Sequence, residues 1–240
     1  MKYISIGYSI ILPFLGCLYL HAEEEKKPQG FSGITELGIV VTSGNSSNTT
    51  TTGRIDLNYD LRRWLHHLKV NVINTQTDGI RTAERYNLNT KSNYKLQNEQ
   101  FLFLSFTHDI DNFSGFQYQS AVAMGYGRNI ISNDTMKWSV DVGPGYRISE
   151  FKSGGNNKEA IVHVGSNAKY SINKLSSLKA ELNVDHGKSQ TISILDLGYI
   201  NQLSKSLAMK VGYNIKKSSN VPVDSKATDT ITSISLIYSF

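Results

Sequence analysis

The chain closes on Ile234-Ser235-Leu236-Ile237-Tyr238-Ser239-Phe240. Counting back by twos from the last residue puts Phe240, Tyr238, Leu236 and Ile234 on one side. Successive side chains of an extended chain point to opposite faces, so this is a strand with an apolar face and an aromatic end. The same period of two recurs upstream. In Arg54-Ile55-Asp56-Leu57-Asn58-Tyr59-Asp60, the residues Ile55, Leu57 and Tyr59 share a face opposite Arg54, Asp56, Asn58 and Asp60. Leu178 to Asp185 and Leu207 to Lys216 repeat it, and no stretch offers a convincing helical stripe.

Working outward from these segments, the alternation divides the chain into twelve strands at about 31–43, 47–61, 64–77, 84–96, 100–111, 117–130, 136–148, 158–171, 176–187, 189–203, 207–218 and 228–240. The connections fall into two alternating sets. Leu61-Arg62-Arg63, Gln97-Asn98-Glu99, Asn133-Asp134, Asn173-Lys174 and Ser204-Lys205-Ser206 are tight. Gly44-Asn45-Ser46, Thr77 to Ala83, Asn112 to Phe116, Ser149 to Asn157 and Ser219 to Ala227 are longer, with Gly187-Lys188 the short exception. Tight turns at one end and longer loops at the other describe an up-and-down antiparallel β-barrel of the outer-membrane kind. An even strand count puts both termini on the same side, the periplasmic one.

Two soluble alternatives compete. A sandwich uses strands of about five or six residues, half the length found here, whereas a tilted strand crossing hydrocarbon needs about ten. A lipocalin-like barrel would carry its apolar residues inside, and alternation alone does not tell inside from outside. The terminal strand separates them, because an apolar face ending on an aromatic resembles the signal by which outer-membrane barrels are recognised for assembly. Phe240, Tyr238 and Leu236 carry that resemblance, the first two as members of an interfacial aromatic girdle.

The start of the chain agrees with export. Lys2 precedes the apolar run Tyr3 to Leu20, and Ala22 precedes Glu23-Glu24-Glu25, the three parts of a secretory signal peptide cut after Ala22. The expected division is a signal peptide at 1–22, a short polar segment at 23–29 and a barrel at 30–240. Cys17, the single cysteine, lies within the signal, and Leu15-Gly16-Cys17 invites a competing reading in which it is lipidated. Cleavage after Ala22 leaves no thiol, hence no disulfide, thiolate metal site or cysteine nucleophile. It also takes one lysine from the net charge of +5 and leaves +4, dispersed along the chain rather than gathered in the basic stripe that nucleic acid requires.

Several ordered pieces resemble one family. They are Leu37-Gly38 with Thr42-Ser43-Gly44-Asn45, then Ala83-Glu84-Arg85-Tyr86, Asp111 to Tyr118, Asp141-Val142-Gly143-Pro144-Gly145-Tyr146-Arg147, and Thr228-Asp229-Thr230 before the last strand. Together they span about 30 to 240 and are similar to the salt-induced outer-membrane proteins catalogued as domain of unknown function family 481. The resemblance implies an outer-membrane barrel and brings no catalytic residues.

With the apolar faces turned outward, the lumen receives Arg54, Asp56, Lys69, Arg85, Lys91, Lys95, Asp141, Arg147, Glu181, Lys210 and Lys216. Mixed signs in a confined space imply pairing, so these residues either brace the interior or line a narrow aqueous path. Twelve strands lie between the filled eight-strand barrel and the open sixteen-strand porin, and no loop is long enough for a large plug. The expected function is therefore envelope integrity and stress adaptation, or narrow passive passage of small solutes. The expected partners are outer-membrane lipid, lipopolysaccharide and, during biogenesis, the barrel assembly machinery.

The alternative is a rim-site hydrolase of protease or lipase type, built on His108-Asp109-Ile110-Asp111 or Asp185-His186. Asp185 and His186 are adjacent, and His163 to Ser166 and His186 to Ser189 are three apart, so each pair points to opposite sides of a strand. No catalytic constellation, metal site or cofactor site emerges. Phe113 and Phe116 read as girdle anchors around an Asp-Asn-Phe-Ser-Gly turn, and Pro144, lacking a ladder donor, calls for a bulge.

Overall fold

The computed structural model describes residues 30–42, 48–221 and 227–240, which form twelve antiparallel strands closed into one barrel. The strands are β1 (Gly30–Thr42), β2 (Asn48–Asp60), β3 (Trp64–Thr77), β4 (Ile80–Lys95), β5 (Gln100–Asp111), β6 (Phe116–Ser132), β7 (Met136–Phe151), β8 (Asn156–Ser171), β9 (Ser176–Gly187), β10 (Thr191–Gln202), β11 (Leu207–Ser218) and β12 (Thr228–Ser239). Each pairs with its neighbours in the chain, and β12 closes on β1. The proposed signal peptide, with Cys17 and Ala22, and the loop at Gly44-Asn45-Ser46 lie outside the described residues.

The alternation resolves inside from outside. Leu102, Leu104, Val122, Met124, Val142, Val162, Val164, Leu236 and Ile234 stand exposed on the outer wall, while Ser105, Asp141, Arg147, Glu159 and His163 are buried within it. An apolar exterior around a charged interior inverts a soluble barrel and matches a lipid-facing one. Phe31, Tyr59, Trp64, Tyr126, Tyr170, Tyr199, Tyr238 and Phe240 ring the exterior at the tight-turn end, and Tyr86, Phe106, Tyr146 and Tyr213 lie towards the other end. Phe240 helps to close the barrel. Its backbone exchanges two hydrogen bonds with Gly33, at 2.9 and 3.0 Å. Its ring lies over Gly33, where a Cβ would stand 2.6 Å from it.

The connections depart from the sequence reading in two places. Thr77 to Ala83 is no loop, because Asp78 and Gly79 both take positive φ, 50° and 79°, and make a two-residue hairpin turn. Asp-Gly supplies the mirror-image turn that matches strand twist, so β4 starts at Ile80 rather than at 84, with an irregularity at Thr75/Gln76 absorbing the offset. Likewise β7 and β8 extend to Phe151 and from Asn156, shortening the loop expected from Ser149 to Asn157.

Pro144 needs no bulge. The β6–β7 ladder pairs Ala123 with Gly145 and Tyr126 with Val142 in the same register, with only Met124/Gly125 opposite Gly143/Pro144 unpaired. A Cβ on Gly125 would sit 2.2 Å from the Val142 carbonyl oxygen, and one on Gly143 2.0 Å from that of Met124. The two glycines let the backbones close up where the proline cannot donate.

Candidate functional site

The charged residues of the lumen meet one another. Arg54 Nη2 donates to Asp56 at 3.0 Å, and His67 Nε2 lies 2.5 Å from the other oxygen of that carboxylate. Lys91 Nζ donates to Asp141 at 2.7 Å and stands 4.7 Å from the centre of the Phe103 ring. Arg85 reaches Asp111 at 2.6 Å and Asp229 at 2.8 Å. Lys210 holds both oxygens of Glu36 at 3.1 Å, Lys216 pairs with Asp109, and Lys95 pairs with Asp60 near the tight turns. Glu36, Asp109, Glu159, His163 and Asp185 were absent from the sequence-derived lumen set. Continuing the period of two along β1, β5, β8 and β9 would have placed all five on that face.

Two pairs cross the barrel. Lys69 on β3 donates to both oxygens of Glu181 on β9 at 2.6 and 2.7 Å, and Lys216 on β11 reaches Asp109 on β5. In each pair the two strands are six apart in a ring of twelve, hence opposite. A round twelve-strand barrel, with strands about 4.8 Å apart and tilted about 40°, is roughly 24 Å across. Extended lysine and glutamate side chains joined by a hydrogen bond span only about 14 Å between Cα atoms. The section is therefore flattened between β3–β5 and β9–β11, and the two ion pairs form struts across its short axis.

At the loop end the lumen has a packed half and an open half. Arg147, 1% exposed, is the hub of the packed half. Its guanidinium donates to Glu159 at 2.5 Å, to the Asp185 carbonyl at 3.4 Å and to the Gln190 carbonyl. Gln119 adds bonds to Ser149 at 3.0 Å and to Gln190 at 2.9 Å. Gln190 belongs to the short β9–β10 connection, which folds inward and fills this side, a role sequence reading reserved for a long loop. Phe116 joins the filling. It is buried against Phe151 at 5.1 Å, so it is no girdle anchor, whereas Phe113 remains exposed.

The open half, bounded by β1 to β6, β11 and β12, holds a vestibule of about 930 Å³. Below it lies a further cavity of about 230 Å³ among Glu36, Lys69, Lys91, Asp141 and Glu181. Ile73, Arg85, Lys216 and Ile231 line both, so the two spaces adjoin.

The histidines sort by face. Asp185 points inward to His163 Nδ1 at 2.6 Å, with Asp141 3.4 Å from the other ring nitrogen, while His186 points outward to Thr191 at 2.8 Å. Among the described residues the shortest histidine–serine contact, which the sequence alone does not single out, is His108 Nδ1 to Ser120 Oγ at 2.8 Å. His66 with Ser92 at 2.9 Å and His186 with Thr191 repeat it on other strand pairs. His66 and His108 also stack on the girdle residues Trp64 and Phe106. A contact recurring around the outer wall is a cross-strand pair of the girdle rather than a single assembled dyad.

Comparisons with known proteins agree with this architecture. The chain is 22% identical over 218 residues to the uncharacterized protein YdiY of Escherichia coli K12, covering 89% of this chain and 84% of that one. An outer-membrane channel of Pseudomonas putida F1 superposes with a TM-score of 0.51 at 10% identity, over 90% of this chain and 97% of the other. The translocator domain of the autotransporter NalP from Neisseria meningitidis gives 0.50 at 9% identity, over 89% and 90%. These likenesses establish the fold of an outer-membrane barrel. Residues 35–240 match the family model described as "Protein of unknown function, DUF481", and the chain belongs to that family.

Proposed function

We propose that the protein is a narrow outer-membrane pore for small hydrophilic solutes, with its waist crossed by ion pairs. The observation that carries this reading is the pair of adjoining cavities, the vestibule of the open half and the space within the charged waist, which meet at Ile73, Arg85, Lys216 and Ile231. A barrel serving only as a strut would gain more from an apolar core of the same volume, because buried ion pairs seldom repay their desolvation. Polar walls and balanced charge suit small neutral or zwitterionic solutes. The tight turns face the periplasm, the vestibule opens outward, and lipid with lipopolysaccharide surrounds the wall.

Liposome swelling tests it. Vesicles carrying the protein should swell in glycine or arabinose and stay unchanged in raffinose, which is too wide for the flattened waist. Absence of swelling in every solute would leave the cross-braced wall, serving envelope integrity, as the function.

A further inference from the structure

The wall is incomplete between its first and last strands. Among the described residues the β1–β12 ladder runs from Ile34↔Ser239 to Gly38↔Ser235 and stops there. Both strands continue beyond that point, β1 to Thr42 and β12 back to Thr228, and each stays paired with its other neighbour. β1 pairs with β2 as far as Thr42↔Asn48, and β12 with β11 as far as Lys217↔Thr228. The two lips are thus held in the sheet while the edges facing one another are unjoined.

The vestibule reaches this gap. Its lining includes Val40, Asp229 and Ile231, which face inward, and also Thr228, Thr230 and Thr232, which alternate with them and are exposed on the outer wall. The backbone of β12 along this stretch is thus a wall of the vestibule, and its unjoined edge borders that space. Unpaired backbone groups are not tolerated against hydrocarbon, so the gap must lie where water or a ligand supplies partners. The exterior beside it agrees. On β12 the outward positions change from Phe240, Tyr238, Leu236 and Ile234 to Thr232, Thr230 and Thr228, and β2 carries Thr49 and Thr51 on the same side. This is the level at which hydrocarbon gives way to headgroups.

We propose that the vestibule opens sideways into the membrane interface between β1 and β12, and that this portal takes a single-chain amphiphile with its head in the vestibule and its chain among the lipids. The chemistry on each side sets the class. Arg85, Lys216 and Asp229 offer a polar head charged partners, and Val40, Ile73 and Ile231 offer an apolar chain a surface on the vestibule side. A wholly polar solute gains nothing from leaving sideways, and a wholly apolar one is repelled by the charged floor. The ladder joins at Gly38↔Ser235, so the gap is a wedge closed at its base and suited to a slender chain.

The test uses the full barrel in phosphatidylcholine vesicles. Trp64 and Trp138, the two tryptophans, are changed to Phe, and Ile231→Trp provides a reporter on the vestibule side of the gap. Val40→Cys with Ser233→Cys, opposite one another if the ladder continued, provides a lock, closed by oxidation or by a dibromobimane bridge. Brominated stearate should quench the introduced tryptophan in the unlocked protein, and the lock should remove most of that quenching. Acrylamide, entering from the open mouth, should quench both forms alike. Swelling in arabinose, measured on the unlocked and locked forms of the same variant, reports whether the pore itself still conducts and keeps a failed portal distinct from a failed pore. No quenching by brominated stearate in the unlocked form, or equal quenching in both forms, would overturn the portal.

Discussion

Arg147→Ala destabilises the barrel by about 3–5 kcal/mol, the cost of stranding one member of a buried ion pair. The guanidinium holds Glu159 on the neighbouring strand and two backbone carbonyls, those of Asp185 and Gln190. Removing it leaves a carboxylate buried without its cation and frees the inward-folded β9–β10 connection. The variant should lose its folded, heat-modifiable band on unheated gels at a lower temperature and unfold at lower urea. Arg147→Met with Glu159→Gln, which removes both charges at similar volume, should recover much of the loss. Wild-type stability in Arg147→Ala would mean that the packed half contributes nothing to holding the barrel.

Much of this was legible from a period of two. Strand number, order and the outward face follow from alternation, because lipid outside and water inside impose opposite chemistries on successive residues. Arg54, Lys69, Lys91, Arg147 and Lys210 were assignable to the lumen for that reason. Their partners were not, because pairing across a barrel depends on the height of each residue and on the flattening of the section. Lys69 and Glu181 are 112 positions apart and meet only because opposite strands come close. Asp78-Gly79 was readable in principle, but the polar residues around it resembled a longer loop. The inward turn at Gln190 carries no signal of its own. Three residues with a glutamine describe many exposed turns, and only the acceptor needs of Arg147 draw this one inside. The gap between β1 and β12 is equally silent, since both strands alternate normally and the break lies in the ladder between them.

Deleting Phe240 should reduce the assembled barrel severalfold, whereas Ser239→Ala should leave it near wild type. Phe240 contributes two of the hydrogen bonds that close β12 on β1, both to Gly33, and its ring packs 6.1 Å from Phe31 and 6.3 Å from Tyr238. The β1–β12 ladder is the shortest in the barrel, with five registered pairs, so losing its terminal anchor removes a large share of the closure. Outer-membrane fractions probed for the folded form decide it. Equal amounts of both variants would count against Phe240 as a closing and assembly residue.

The central claim is that ion pairs narrow a real aqueous path, and single-channel recording in a planar bilayer tests it most directly. Wild type should give small steps. The double variant Lys69→Ala with Glu181→Ala removes one strut across the short axis without changing net charge, and it should give larger ones. The remaining fixed charges are least screened at low salt, so the difference in step size should be greatest there. Leu182→Ala, on the lipid face, should leave the steps unchanged. Absence of current from both wild type and the double variant would contradict the pore and leave a closed, internally braced barrel.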